Sequence, residues 1–92
     1  MPVYLVEYEL PGITMEQLLA TQRAARAASE RFTTQGSPVR YIRSTFVPGE
    51  WRCQCLFEAA NAGLVEDVSD AAGIPYTRIL AALELNADDS HG

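Results

Sequence analysis

The chain has 92 residues, of which 48 % are apolar and 21 % charged, which suits one small domain with a real core and argues against a disordered chain. The net charge is -5, and all seven basic residues are arginines, scattered at positions 23, 26, 31, 40, 43, 52 and 78. Acidity without a basic run speaks against nucleic acid and against an anionic membrane surface as partners, and the absence of lysine excludes Schiff-base chemistry.

No apolar run approaches the roughly 20 residues of a membrane span. The opening Met1-Pro2-Val3-Tyr4 lacks the basic start and apolar stretch of a signal peptide. A cytoplasmic location is therefore expected, with Cys53 and Cys55 as reduced thiols.

Residues 3–10 are β-branched and aromatic-rich and alternate toward their end, which predicts a strand stopped by Pro11-Gly12. Thr14 followed by Gln17 is a capping-box signature, and Leu18, Thr21, Ala25, Ala28 and Phe32 fall on one side of a helix that runs to about Thr34. Gly36-Ser37-Pro38 closes this unit. Residues 39–47 and 51–58 alternate as two further strands around a Pro48-Gly49-Glu50 turn, the pattern of an antiparallel hairpin. Asn61 can cap a second helix whose stripe is Leu64, Val65, Val68, Ala71 and Ala72, ended by Gly73 and Pro75. A last strand is predicted over 78–85, with Ile79, Ala81, Leu83 and Leu85 inward, and residues 86–92 form a polar tail.

The order β-α-β-β-α-β defines an α+β, ferredoxin-like domain over residues 1–85: one four-stranded antiparallel sheet with two helices on one face. Strand parity assigns Tyr4, Val6, Tyr8, Ile42, Phe46, Cys53, Cys55, Phe57, Ala81 and Leu83 to the helix side. Val3, Leu5, Glu7, Glu9, Tyr41, Arg43, Gln54, Leu56, Arg78, Leu80 and Glu84 fall on the other face. That second face is too apolar to stand bare and too charged to be a plain core, so a second subunit or a ligand is expected on it.

The chemistry-bearing candidates are on that face. Glu7, Glu9, Tyr41, Arg43, Gln54 and Arg78 are the candidate ligand-binding residues, with Glu7 as a candidate base and Arg43 as its oxyanion partner. Cross-strand ion pairing that only fixes geometry is the weightier reading of the same charges. The C-x-C pair supplies two ligands where a zinc site wants three or four, so Cys53 and Cys55 read as packing. Nucleophilic triads fail because the one histidine, His91, is in the tail.

The segments Tyr4-Leu5-Val6-Glu7, Leu10-Pro11-Gly12-Ile13-Thr14, Val39-Arg40-Tyr41-Ile42-Arg43-Ser44, Cys55-Leu56-Phe57-Glu58-Ala59 and Ala72-Gly73-Ile74-Pro75 resemble a family of short bacterial ferredoxin-like proteins of unknown function that includes a nickel-binding homodimer. The resemblance spans about residues 3–85. It implies a homodimer, and by register it puts Glu7 and Gln22 where the nickel branch has histidines. Oxygen donors at those two positions suit a harder divalent metal than nickel.

The reading that results is a small homodimer, joined through its open sheet face, with a binding or accessory role for a small molecule or a divalent metal and no organic cofactor. The alternatives are a cofactorless isomerase or oxygenase working through Glu7 and Arg43, and a nickel-type metal-binding protein.

Overall fold

The computed structural model describes residues 1–85. The expected tail and His91 lie outside those residues. The elements are β1 (Val3–Glu9), α1 (Met15–Thr34), β2 (Val39–Val47), β3 (Arg52–Ala59), α2 (Ala62–Ala71) and β4 (Arg78–Ala82). The strands form one antiparallel sheet in the order β2-β3-β1-β4, the ferredoxin-like arrangement that the sequence predicts.

Local signals explain the helix ends. Thr14 accepts a hydrogen bond from the Gln17 backbone N–H at 3.1 Å, and the Gln17 side chain accepts one from the Thr14 N–H at 3.0 Å, which satisfies two donors that a helix start leaves open. The Asn61 carboxamide accepts from the Leu64 N–H at 3.0 Å and starts α2 in the same way. Gly73 follows α2 with φ +71°, a left-handed conformation that a residue with a Cβ adopts only under strain. The helix–strand connection is pinned by Thr33, whose hydroxyl donates to the Val39 carbonyl and accepts from the Val39 N–H, each at 3.0 Å.

Both helices cover the same sheet face. The core joins Val6, Tyr8, Val39, Cys53, Cys55, Phe57 and Ala59 of the strands to Ala25, Ala28, Val65 and Val68 of the helices. Small residues on α1 let that helix lie close to the sheet, as its sequence stripe implies.

Three local expectations are corrected. A bulge interrupts β2 between Tyr41 and Arg43: Tyr41 stands opposite Phe57, while Arg43 stands opposite Leu56. The extra residue, Ile42, flips the parity of everything before it. Tyr41 therefore belongs to the helix side, edge-on to Phe57 with ring centroids 5.6 Å apart, and Ile42 is not among the residues packed on the core.

Second, Trp51 belongs to the hairpin turn, with φ +54°, and does not begin the third strand. Its carbonyl accepts from the Leu10 N–H at 2.8 Å, and its ring meets Phe46 edge-on.

Third, β4 ends at Ala82, so Leu83 and Leu85 are not inward residues of a strand; they are 89 % and 80 % exposed. Glu84 between them pairs with Arg43 on β2. Strands β4 and β2 are the two edges of the sheet, three spacings or about 14 Å apart. After Ala82 the chain must leave the line of β4 to make that pair.

Candidate functional site

Cross-strand partners share a face, so the registers define the surface that the helices leave uncovered. One row reads Arg43, Leu56, Leu5, Leu80, and the next reads Thr45, Gln54, Glu7, Arg78. The half-buried Leu5 and Leu56 and the exposed Leu80 form an apolar band across the sheet.

Three ion pairs surround that band. Arg78 Nη2 donates to Glu7 Oε1 at 3.1 Å, Arg40 Nε donates to Glu58 Oε1 at 3.2 Å, and Arg43 bonds Glu84. The Arg40 guanidinium holds the Glu58 carboxyl below the usual glutamate range, and Glu7 pushes Arg78 further up. All three guanidinium groups are well exposed, so each pair contributes little to stability and mainly sets side-chain direction.

The structure brings some of the sequence candidates together and separates others. Glu7, Gln54 and Arg78 stand side by side across three strands, and Glu9 lies opposite Arg52 at the end of β1. Arg43 is on the same face but is committed to Glu84, while Glu7 is committed to Arg78. Tyr41 is removed from this face by the β2 bulge.

Gln22 is also elsewhere. It lines a cavity on the helix side together with Cys53 and Cys55, so the sheet stands between it and Glu7. Within one copy, the two residues that the resemblance puts in place of nickel-branch histidines do not form one ligand set. Among the described residues, no group of three or more His, Cys, Asp or Glu side chains is placed to hold a metal ion.

The helix side contains polar chemistry that strand parity alone did not reveal. Tyr41 Oη bonds Ser44 Oγ, and Ser44 Oγ lies 2.9 Å from Cys55 Sγ. Cys55 Sγ is 4.0 Å from Cys53 Sγ, and Tyr8 Oη is 3.3 Å from Ser69 Oγ. Burial pushes the Tyr8 phenol well above its usual value, with the Cys55 thiol adding to the effect.

The two thiols are driven apart. The hydrogen bond with Cys55 lowers Cys53, and the same bond, with burial, raises Cys55. The signal in the sequence was the C-x-C spacing, which fixes a common face; Tyr41 and Ser44 join it only through the bulge and the hairpin register.

Two concavities border this cluster. A cavity of about 120 Å3 is walled by Leu18, Gln22, Ser44, Phe46, Cys53 and Cys55. A wider cleft of about 530 Å3 runs between α1 and β2, where the Arg26 guanidinium carbon sits 5.9 Å from the Tyr41 ring centroid. No helix among the described residues is long and apolar enough to cross a membrane.

Element order, sheet topology and the one-sided helix layer define a ferredoxin-like α+β protein with an uncovered sheet face. The family model described as nickel responsive protein SCO4226-like matches residues 4–81, and the chain belongs to that family. The crystal structure of SCO4226 from Streptomyces coelicolor A3(2) superposes with a TM-score of 0.75 at 23 % identity, covering 92 % of this chain and 99 % of that one. At that identity the likeness is one of fold. No curated protein matches the chain.

Proposed function

We propose that this protein is a metal-related binding protein that works as a homodimer, its open sheet face closed by a second copy. The observation that carries this reading is the apolar band Leu56, Leu5, Leu80, flanked by charges that already have partners within the chain. Satisfied ion pairs can be covered at small cost, and the gain from covering the leucines is about 25 cal/mol per Å2 of apolar area. Leu83 and Leu85, held out beside the face, add to the surface that needs cover.

A two-fold contact is self-complementary. It would bring a second set of Glu7, Glu9 and Gln54 to the same seam, where a divalent ion would displace Arg78 from Glu7 and gather an oxygen-rich donor set that one copy lacks. The nickel-responsive name of the family supports a metal as the bound species, and carboxylate and amide oxygens favour a hard divalent ion.

Sedimentation equilibrium tests the assembly, and calorimetric titration with manganese, zinc and nickel tests the binding. The expected result is a dimer that takes up a divalent ion, with Leu5→Arg giving a folded monomer and Glu7→Gln a dimer with weakened metal binding. A monomer at tens of micromolar protein, or metal uptake unchanged in Glu7→Gln, overturns the reading.

A further inference from the structure

The open-face reading makes no use of the two thiols on β3, the only cysteines in the chain. Two residues apart on a strand, they point to the same face. Both are buried and form no disulfide, with sulfurs 4.0 Å apart. The cavity of about 120 Å3 borders both sulfurs, and at roughly 30 Å3 per water it has the volume of about four waters. That space lets an ion approach the sulfurs without unpacking the core.

We propose that Cys53 and Cys55 form a two-sulfur site for a soft monovalent cation of the copper(I) class. The proposal is independent of the dimer and of any divalent ion at the open face.

Geometry, ligand number and donor type all lead to this class of ion. Two metal–sulfur bonds, each roughly 2.3 Å as for zinc, laid nearly end to end span a little more than the observed separation, so small side-chain rotations bring both sulfurs onto one ion. The other cavity walls are apolar or neutral: Leu18, Phe46, the Gln22 amide and the Ser44 hydroxyl. No carboxylate or imidazole is there to complete a four- or six-ligand shell, which nickel(II), zinc(II) and harder ions require.

Ligand number decides between a monocation and a dication. Both sulfurs bind as thiolates, and two soft donors complete the shell of a copper(I)-class ion, whereas a dication would still want one or two further ligands here. Binding then breaks two S–H bonds, forms two sulfur–metal bonds and releases one proton from each cysteine to solvent, with no change of oxidation state. The Ser44 hydroxyl 2.9 Å from Cys55 Sγ is placed to hold that sulfur in position.

The experiment is an anaerobic titration of the reduced full chain with copper(I) against a chromogenic copper(I) chelator, with proton release measured in weak buffer. The expected result is one copper(I) and about two protons per chain. Cys53→Ser and Cys55→Ser should each weaken binding by roughly 100-fold or more, since even outer partners of a metal ligand are worth 10–100-fold. Because those variants perturb the core, thiol alkylation of the unaltered protein is measured in parallel, and bound copper(I) should protect both cysteines. No copper(I) withdrawn from the chelator, binding unchanged in Cys53→Ser/Cys55→Ser, or both thiols alkylated equally fast with and without copper(I) overturns the proposal. Manganese or zinc uptake at the open face should be the same in Cys53→Ser/Cys55→Ser as in the unaltered chain, which keeps this outcome separate from that of the dimer reading.

Discussion

Replacing Tyr8 by phenylalanine removes one oxygen from the core and little else. Tyr8 and Ser69 are each 1 % exposed, and their hydroxyls lie 3.3 Å apart, linking β1 to α2. Without the phenol, Ser69 Oγ loses its side-chain partner in a place water does not reach. A buried polar group left unpaired costs about 1–3 kcal/mol. Ser69 is helical, however, and its hydroxyl can turn to the Val65 carbonyl one turn back, which puts the loss near the lower end, about 1–1.5 kcal/mol. At about 4–8 °C per kcal/mol for domains of 60–100 residues, the midpoint should fall by about 4–12 °C.

Ser69→Ala alone leaves the larger phenol unpaired and should cost at least as much. In Tyr8→Phe/Ser69→Ala both partners are gone, so the double variant should be more stable than the sum of the two losses implies, by about 1 kcal/mol. Urea unfolding followed by circular dichroism at fixed protein concentration measures all four proteins. Strictly additive losses would refute the idea that these two hydroxyls satisfy each other.

The same phenol sets an alkaline limit. Burial raises Tyr8 above its ordinary value of 10.0, so the folded state holds the proton more tightly than the unfolded chain. Its contribution is fully present below about pH 10 and is lost as pH climbs from there toward the higher folded value. Midpoints measured from pH 9 to 11 should fall more steeply for the unaltered protein than for Tyr8→Phe, and parallel curves would count against it. Phe57→Ala empties a fully buried site beside Tyr41 and should cost about 3–5 kcal/mol by urea unfolding. Gly73→Ala meets no neighbour within 4 Å, so its expected loss of about 1–2 kcal/mol is that of the left-handed backbone alone. Arg40→Ala breaks an exposed pair and should change stability by less than about 1 kcal/mol; a larger loss would show that the open face carries more of the fold than its exposure suggests.

The sequence by itself determined whatever depends on near neighbours along the chain. Thr14 with Gln17, Asn61 and Gly73 mark helix ends because caps are made within three or four residues. Alternation in β1 and β3 placed Glu7 and Gln54 on one face and both cysteines on the other, because side chains on an unbroken strand reverse at every step.

Only the tertiary structure decided what depends on a distant partner. One extra residue in β2 carried Tyr41 across the sheet, and nothing local to Val39–Val47 announces it; the bulge exists because that strand must match β3 on both sides of it. The end of β4 at Ala82 was equally hidden, since Leu83 and Leu85 continue the alternation while Glu84 pairs with Arg43, 41 residues away in sequence. The cavity beside the two thiols, and the separation of Gln22 from Glu7 by the sheet, follow from how a helix is laid on strands remote from it in sequence. Parity along a strand is a local property, and it fixes faces only until the packing of a remote strand inserts a residue or ends the ladder.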